Sequence, residues 1–189
     1  LGIYFHDIGV AYDSITYVWE PRTMFPFENI AATYADANGD GIVDVLACAG
    51  DDGDDAGPKR AYCFNGIDGE LIWQYIVGGP VFGIIAVDDF TGDGIPDAVA
   101  GASNQWETDG LAIGINGSSG QLEWSFETNG SSVWALAQIG DVNLDGINDV
   151  MIGDFYGGYF ALDATNGNEA YSGGGLGLLT GFKQLDDVN

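Results

Sequence analysis

Asp36-Ala-Asn-Gly-Asp-Gly-Ile-Val-Asp44, Asp89-Phe-Thr-Gly-Asp-Gly-Ile-Pro-Asp97 and Asp141-Val-Asn-Leu-Asp-Gly-Ile-Asn-Asp149 are one nine-residue pattern written three times, opening at positions 53 and 52 apart. A fourth copy begins at Asp187-Val-Asn189. A second series runs in step with it: Trp19, Trp73, Trp124 and Tyr171 recur 54, 51 and 47 residues apart. The last three of these aromatics carry an Asn or Asp eight residues before them and a Gly four before. Two independent markers sharing one period identify a tandem repeat of about 50 residues, a unit that cannot bury its apolar face alone and must stack on its neighbours.

Each unit reads as four short strands. In the second, apolar stretches at 82–87, 98–102, 111–115 and 122–126 are separated by turn residues, and none has a helical period. Four antiparallel strands per repeat predict an all-β chain, a β-propeller of about four blades. The blades fall roughly at 25–77, 78–128 and 129–173, with a fourth split between 1–20, which carries its later strands, and 175–189, which carries its first strand and half an acidic loop. Pairing the two ends would close a ring and remove its exposed edges. The open alternative is a segment of a larger ring or array, completed by other residues or a neighbouring chain.

The acidic nonapeptides follow the first nine positions of a calcium-binding loop, in which alternate side-chain oxygens, one backbone carbonyl and a closing carboxylate surround a hard cation. The predicted ligands are Asp36, Asn38, Asp40, the Ile42 carbonyl and Asp44 in the first loop. The second offers Asp89, Thr91, Asp93, the Ile95 carbonyl and Asp97, and the third Asp141, Asn143, Asp145, the Ile147 carbonyl and Asp149. Thr91 is the weakest donor of the set. Asp187 and Asn189 would open a fourth site at the split blade. Three carboxylates within nine residues repel one another unless a cation relieves them, so Ca²⁺ is expected at about three sites, with a fourth at the split blade. The competing reading is a set of metal-free Asx turns.

These residues resemble a known family. The loops, each after a short apolar strand, resemble the FG-GAP calcium-binding repeats of integrin α-subunit propellers and related bacterial surface proteins. The segments ending in Trp73, Trp124 and Tyr171 are similar to the tryptophan-docking motifs of quinoprotein-like (PQQ-like) propellers. The resemblance implies that Trp19, Trp73, Trp124 and Tyr171 lock neighbouring blades, and that calcium stiffens the loop between a blade's first two strands.

Composition narrows the function. Twenty-nine acidic residues against four basic ones give a net charge of −25, which repels nucleic-acid phosphates and anionic membrane surfaces. No apolar run reaches the length of a membrane-spanning helix, so neither nucleic-acid binding nor membrane insertion is expected. The chain begins at Leu1 with no signal-like segment, as expected of a processed chain or a piece of a longer protein. Cys48 and Cys63 flank one hairpin loop. The spacing favours a disulfide, worth about 3 kcal/mol and fitting an oxidising compartment, over two buried free thiols. Asn116 and Asn129 match the glycosylation acceptor pattern and, equally, a turn signature. His6 is the only histidine, the Asp51–Asp55 run reads as a solvated loop tip, and Trp106 and Trp134 read as packing residues outside the docking series.

The expected function is a non-enzymatic, extracellular or cell-surface, calcium-stabilised structural or adhesive module. It is expected to form a homo-oligomer or tandem array, and a head-to-tail contact through the split blade would give a ring or filament. A glycan- or protein-binding recognition module is the alternative. A propeller-type polysaccharide lyase or quinone-dependent dehydrogenase fits less well, since four basic side chains and one histidine supply few catalytic groups.

Overall fold

The computed structural model describes the backbone at 2–5, 10–13 and 18–21, and the chain at 33–50 and 58–183, with side chains from Ala35 onward. The described residues contain strands and no helix. Strands β1 (Gly2–Phe5), β2 (Val10–Asp13) and β3 (Val18–Pro21) form a three-stranded antiparallel meander. Three four-stranded meanders follow: β4 (Thr33–Ala35), β5 (Asp44–Ala49), β6 (Arg60–Phe64) and β7 (Leu71–Ile76); β8 (Val81–Val87), β9 (Asp97–Ser103), β10 (Gly110–Ile115) and β11 (Leu122–Glu127); β12 (Val133–Gln138), β13 (Val150–Asp154), β14 (Tyr159–Leu162) and β15 (Glu169–Gly173). The strands read from the second repeat lie within one residue of β8–β11 at every end.

Burial sorts the strands by position in the sheet. The second strands, β5 and β9, are buried along their whole length. The fourth strands, β7 and β11, are exposed or half-buried along most of their length, and each buries one residue, Trp73 or Trp124. A strand buried on both faces must lie between two layers, so the sheets stack face to face. The layers join through two cores. One gathers Leu46, Cys63 and Trp73 from β5–β7 with Ile84, Ala100 and Ile113 from the next sheet. The other gathers Val99, Ala112 and Trp124 with Val133, Ile152 and Leu162. Alanines and a glycine along β9 let the layers approach: a Cβ on Gly101 would stand 2.8 Å from Val133 Cγ1.

Residues 174–183 form no strand. They nevertheless lie where the repeat places the first strand of a further sheet. Gly153 stands in the series Gly101–Gly153, and a Cβ there would meet Leu179 and Phe182 as one at Gly101 meets Val133. Counting back from the acidic motif, Leu179 is the repeat equivalent of Val81 and Val133.

Candidate functional site

The three acidic loops join the first strand of each four-stranded sheet to the second, and all three fold alike. In each, the first aspartate accepts the amide of position six: Gly41 N–H to Asp36 Oδ2 at 2.8 Å, Gly94 to Asp89 at 2.7 Å and Gly146 to Asp141 at 2.9 Å. The fifth-position aspartate accepts the amide two residues on, from Ile42, Ile95 and Ile147. Positions four and six are left-handed in every loop, with φ of 74° and 86° at Gly39 and Gly41, and 65° at Leu144 where glycine is absent.

The ninth-position aspartates do something that the loop motif alone does not reveal. Asp44, Asp97 and Asp149 are buried, and each splits its two oxygens between two segments. One oxygen takes loop amides: Ala37 and Asn38 on Asp44, Phe90 and Thr91 on Asp97, Val142 on Asp149. The other takes one amide from the turn between the third and fourth strands of the same sheet: Gly66 at 2.9 Å, Gly117 at 2.9 Å and Ala164 at 3.3 Å. Each buried carboxylate therefore staples its acidic loop to a hairpin turn. Burial pushes the Asp97 carboxyl above its ordinary value, against the pull of the Gly117, Thr91 and Phe90 amides.

The same turns receive the aromatics. Trp73 Nε1 donates to the Gly117 carbonyl at 2.6 Å, and Trp124 Nε1 to the Ala164 carbonyl at 2.7 Å. A single residue, Gly117 or Ala164, thus links the tryptophan of one sheet to the acidic loop of the next. The glycine four residues before each aromatic has its reason here. Gly120 and Gly167 are left-handed, with φ of 71° and 73°, and a Cβ would stand 2.8 Å from Trp73 and 2.6 Å from Trp124. The Asn or Asp eight residues before the aromatic starts the turn: Asn65, Asn116 and Asp163 each accept the amide two residues on. Tyr171 holds the equivalent place, paired with Ala161 as Trp73 is with Cys63. It is 46% exposed where Trp73 and Trp124 are each 6% exposed.

The cysteines are a correction. Cys48 and Cys63 are both free and buried. On β5–β6 the register pairs Leu46 with Cys63 and Cys48 with Ala61, so the two cysteines stand diagonally, two residues out of register. Diagonal neighbours lie about 7–8 Å apart, beyond disulfide reach. The spacing along the chain favours a disulfide, but the register of β5 and β6 offsets the two cysteines by two residues. Burial pushes both thiols up to about 12, with Asp44 adding to the effect at Cys63.

Asn116 is committed to the turn and to the second loop, through Nδ2 to Thr91 Oγ1 at 3.1 Å and Asp93 Oδ2 at 2.9 Å, so the turn reading of its motif prevails. Trp134 packs as expected, stacked on Phe82 at 4.8 Å and tilted against Phe155. Trp106 does not: it lies on the β9–β10 loop, 75% exposed. The predicted Asp187 and Asn189, the Trp19 side chain, His6 and the Asp51–Asp55 run lie outside the described residues. Among the described residues, no group of three or more Asp, Glu, His or Cys side chains is gathered around one point. The loop carboxylates are turned onto main-chain amides instead.

No family model matches the chain. No curated protein matches it either. Solved structures do. BamB from Moraxella catarrhalis is similar over 91% of this chain and 47% of its own, with a TM-score of 0.50 and 12% identity. The computationally designed Ika4 protein matches over 84% of this chain and 82% of its own, at a TM-score of 0.57 and 18% identity. BBS1N, solved in complex with ARL6DN, matches over 74% of this chain and 37% of its own, at 0.50 and 9%. The fold is a β-propeller. The chain spans about half the length of BamB, 47%. At these identities the likeness speaks to the propeller fold, and the stacked sheets described above are its blades.

Proposed function

We propose that this chain is a non-enzymatic, calcium-stabilised propeller module working outside the cell as a structural or adhesive element, with protein contacts made blade to blade. The observation that carries this reading is the staple. Among the described residues the most deeply buried carboxylates, Asp44, Asp97 and Asp149, are fixed by main-chain amides at both oxygens and tie each acidic loop to a hairpin turn. On the turns held by Asp97 and Asp149 the preceding blade's tryptophan docks. Carboxylates held in that way brace a scaffold; a catalytic acid or base needs an oxygen free to exchange a proton with substrate.

The donor set of the loops fits calcium. Asp36, Asn38 and Asp40, and their counterparts in the other loops, offer hard oxygens without sulfur or imidazole. Asp36, Asn38, Asp40, the Ile42 carbonyl and Asp44 would hold the ion in the first loop, and the corresponding residues would in the others. Bound there, the ion neutralises the loop carboxylates, and the ninth-position aspartate passes the stiffening to the blade seam. Loops of this kind with modest affinity stay filled at the millimolar calcium found outside cells. With both cysteines free, the extracellular assignment rests on the loops alone.

Half-exposed Tyr171 supports assembly. Its equivalents Trp73 and Trp124 are buried against the turn of the following blade, and Tyr171, 46% exposed, is the docking residue that a second copy would cover. A second copy meeting it would join chains head to tail. Native mass spectrometry before and after EGTA, with calcium counted, tests the proposal. Calcium-bearing oligomers that separate on chelation support it, and absence of bound calcium refutes it. The rings of Phe82, Trp134, Phe155 and 71%-exposed Tyr156 form a continuous run on two blades. They favour a second reading, recognition of a glycan or protein, and a glycan array separates the two.

A further inference from the structure

We propose that the second acidic loop is locked by hydrogen bonds from its own hairpin turn in place of a cation, so that calcium enters only the first and third loops. This rests on the calcium reading above and narrows it, taking the second loop out of the set that would hold the ion. The three loops share one backbone, so the difference lies in what faces their carboxylates.

In the second loop, as in the third, every side-chain oxygen at the ligand positions has a protein partner; the second differs in taking some of those partners from the side chains of its hairpin turn. Asp89 Oδ1 accepts Gly92 N at 2.6 Å and Asp93 N at 3.2 Å, and its Oδ2 accepts Gly94 N. Asp93 Oδ1 accepts Ile95 N. The outer oxygen, Asp93 Oδ2, receives two donors from the turn: Ser118 Oγ at 2.7 Å and Asn116 Nδ2 at 2.9 Å. Asn116 Nδ2 also reaches Thr91 Oγ1 at 3.1 Å, which lies 3.3 Å from both Asp89 Oδ1 and Asp97 Oδ1. Thr91 thus stands between the carboxylates as a donor. Two aimed donors on Asp93 and a bridging hydroxyl relieve carboxylate repulsion as a divalent ion would.

The other loops lack the lock. In the first, the turn residues Asn65 and Asp68 cap their own turn, and no described residue donates to Asp40 Oδ2. In the third, Asp145 Oδ2 has one donor, Asn143 of the same loop at 3.1 Å. The turn residue there is a carboxylate, Asp163, whose side-chain oxygens accept from Thr165 and Asn166 of its own turn, so that turn presents an acceptor where the second presents donors. The sequence shows the cause: Thr91 replaces the Asn of the other two loops, and Ser118 follows Asn116 where Ile67 and Thr165 follow Asn65 and Asp163.

Amide NMR of the whole chain, taken from EGTA into several millimolar CaCl₂, tests this, because Gly41, Gly94 and Gly146 report the three loops separately. The expected result is that Gly41 and Gly146 shift, that Gly94 does not, and that native mass spectrometry counts about two ions per chain. Asp93→Asn should leave that count unchanged, whereas Asp40→Asn and Asp145→Asn should each lower it by about one ion. A calcium-dependent Gly94 shift, or a lower count in Asp93→Asn, overturns the proposal while leaving the calcium reading intact. If no glycine moves and no ion is counted, the calcium reading fails and the proposal falls with it.

Discussion

Replacing Trp124 by Phe isolates the link between neighbouring blades. The indole is buried against Gly167 and donates to the Ala164 carbonyl at 2.7 Å. Phenylalanine keeps an aromatic ring there but removes the donor. The Ala164 residue is 1% exposed, so its carbonyl stays buried after losing that partner. An unsatisfied buried acceptor costs about 1–3 kcal/mol. The volume lost with the indole adds about 1 kcal/mol. The expected loss is therefore about 2–4 kcal/mol, and Trp124→Ala should lose about 3–5 kcal/mol. Tyr171 supplies the internal control, since it occupies the same place in the repeat but is 46% exposed. Tyr171→Ala should cost below about 1 kcal/mol in the monomer. Urea unfolding followed by circular dichroism, at protein concentrations low enough to keep the chain monomeric, measures all three. A Trp124→Phe loss under about 0.5 kcal/mol, or equal losses for Tyr171→Ala and Trp124→Ala, would refute the docking account.

Gly120→Ala adds a Cβ 2.8 Å from Trp73 at a φ of 71°; strain and clash together should cost about 2 kcal/mol or more. Gly92→Ala, at a φ of 79° with nothing within 4 Å, should show the strain alone, about 1 kcal/mol, in the same unfolding assay. The Asp93 carboxyl sits below its ordinary value. It therefore contributes stability that is present above the ordinary aspartate value and is lost as pH falls through the depressed one. Ser118→Ala should move the Asp93 titration upward in a carboxyl-carbon NMR titration; an unchanged midpoint would contradict the bond to Ser118. With both thiols pushed up to about 12, Cys48 and Cys63 should resist alkylation at pH 8 in the folded chain and react after urea unfolding, and reducing agent should leave the melting temperature unchanged.

The repeat was legible in the sequence because its two markers are local. An aspartate at alternate positions, a glycine that must turn left-handed and an aromatic closing each unit are set by backbone geometry within nine residues or by strand alternation. They recur at each blade regardless of what packs around them. Period, strand count and the strand limits of β8–β11 followed from that. Other features depend on which segments meet, and the sequence determined none of them. The β5–β6 register, which separates Cys48 from Cys63, is set by pairing across a loop whose length alone does not fix it. The double duty of Asp44, Asp97 and Asp149 requires the third–fourth-strand turn, about 15 to 22 residues further along the chain, to arrive within hydrogen-bond reach. Trp106 and Trp134 look alike as letters, yet one is exposed on a loop and the other is stacked on Phe82 from the preceding blade. The loops show the same division. Nine residues specify a cradle of carboxylates, while the donors that close the second cradle come from Asn116 and Ser118, which only the folded blade brings beside Asp93.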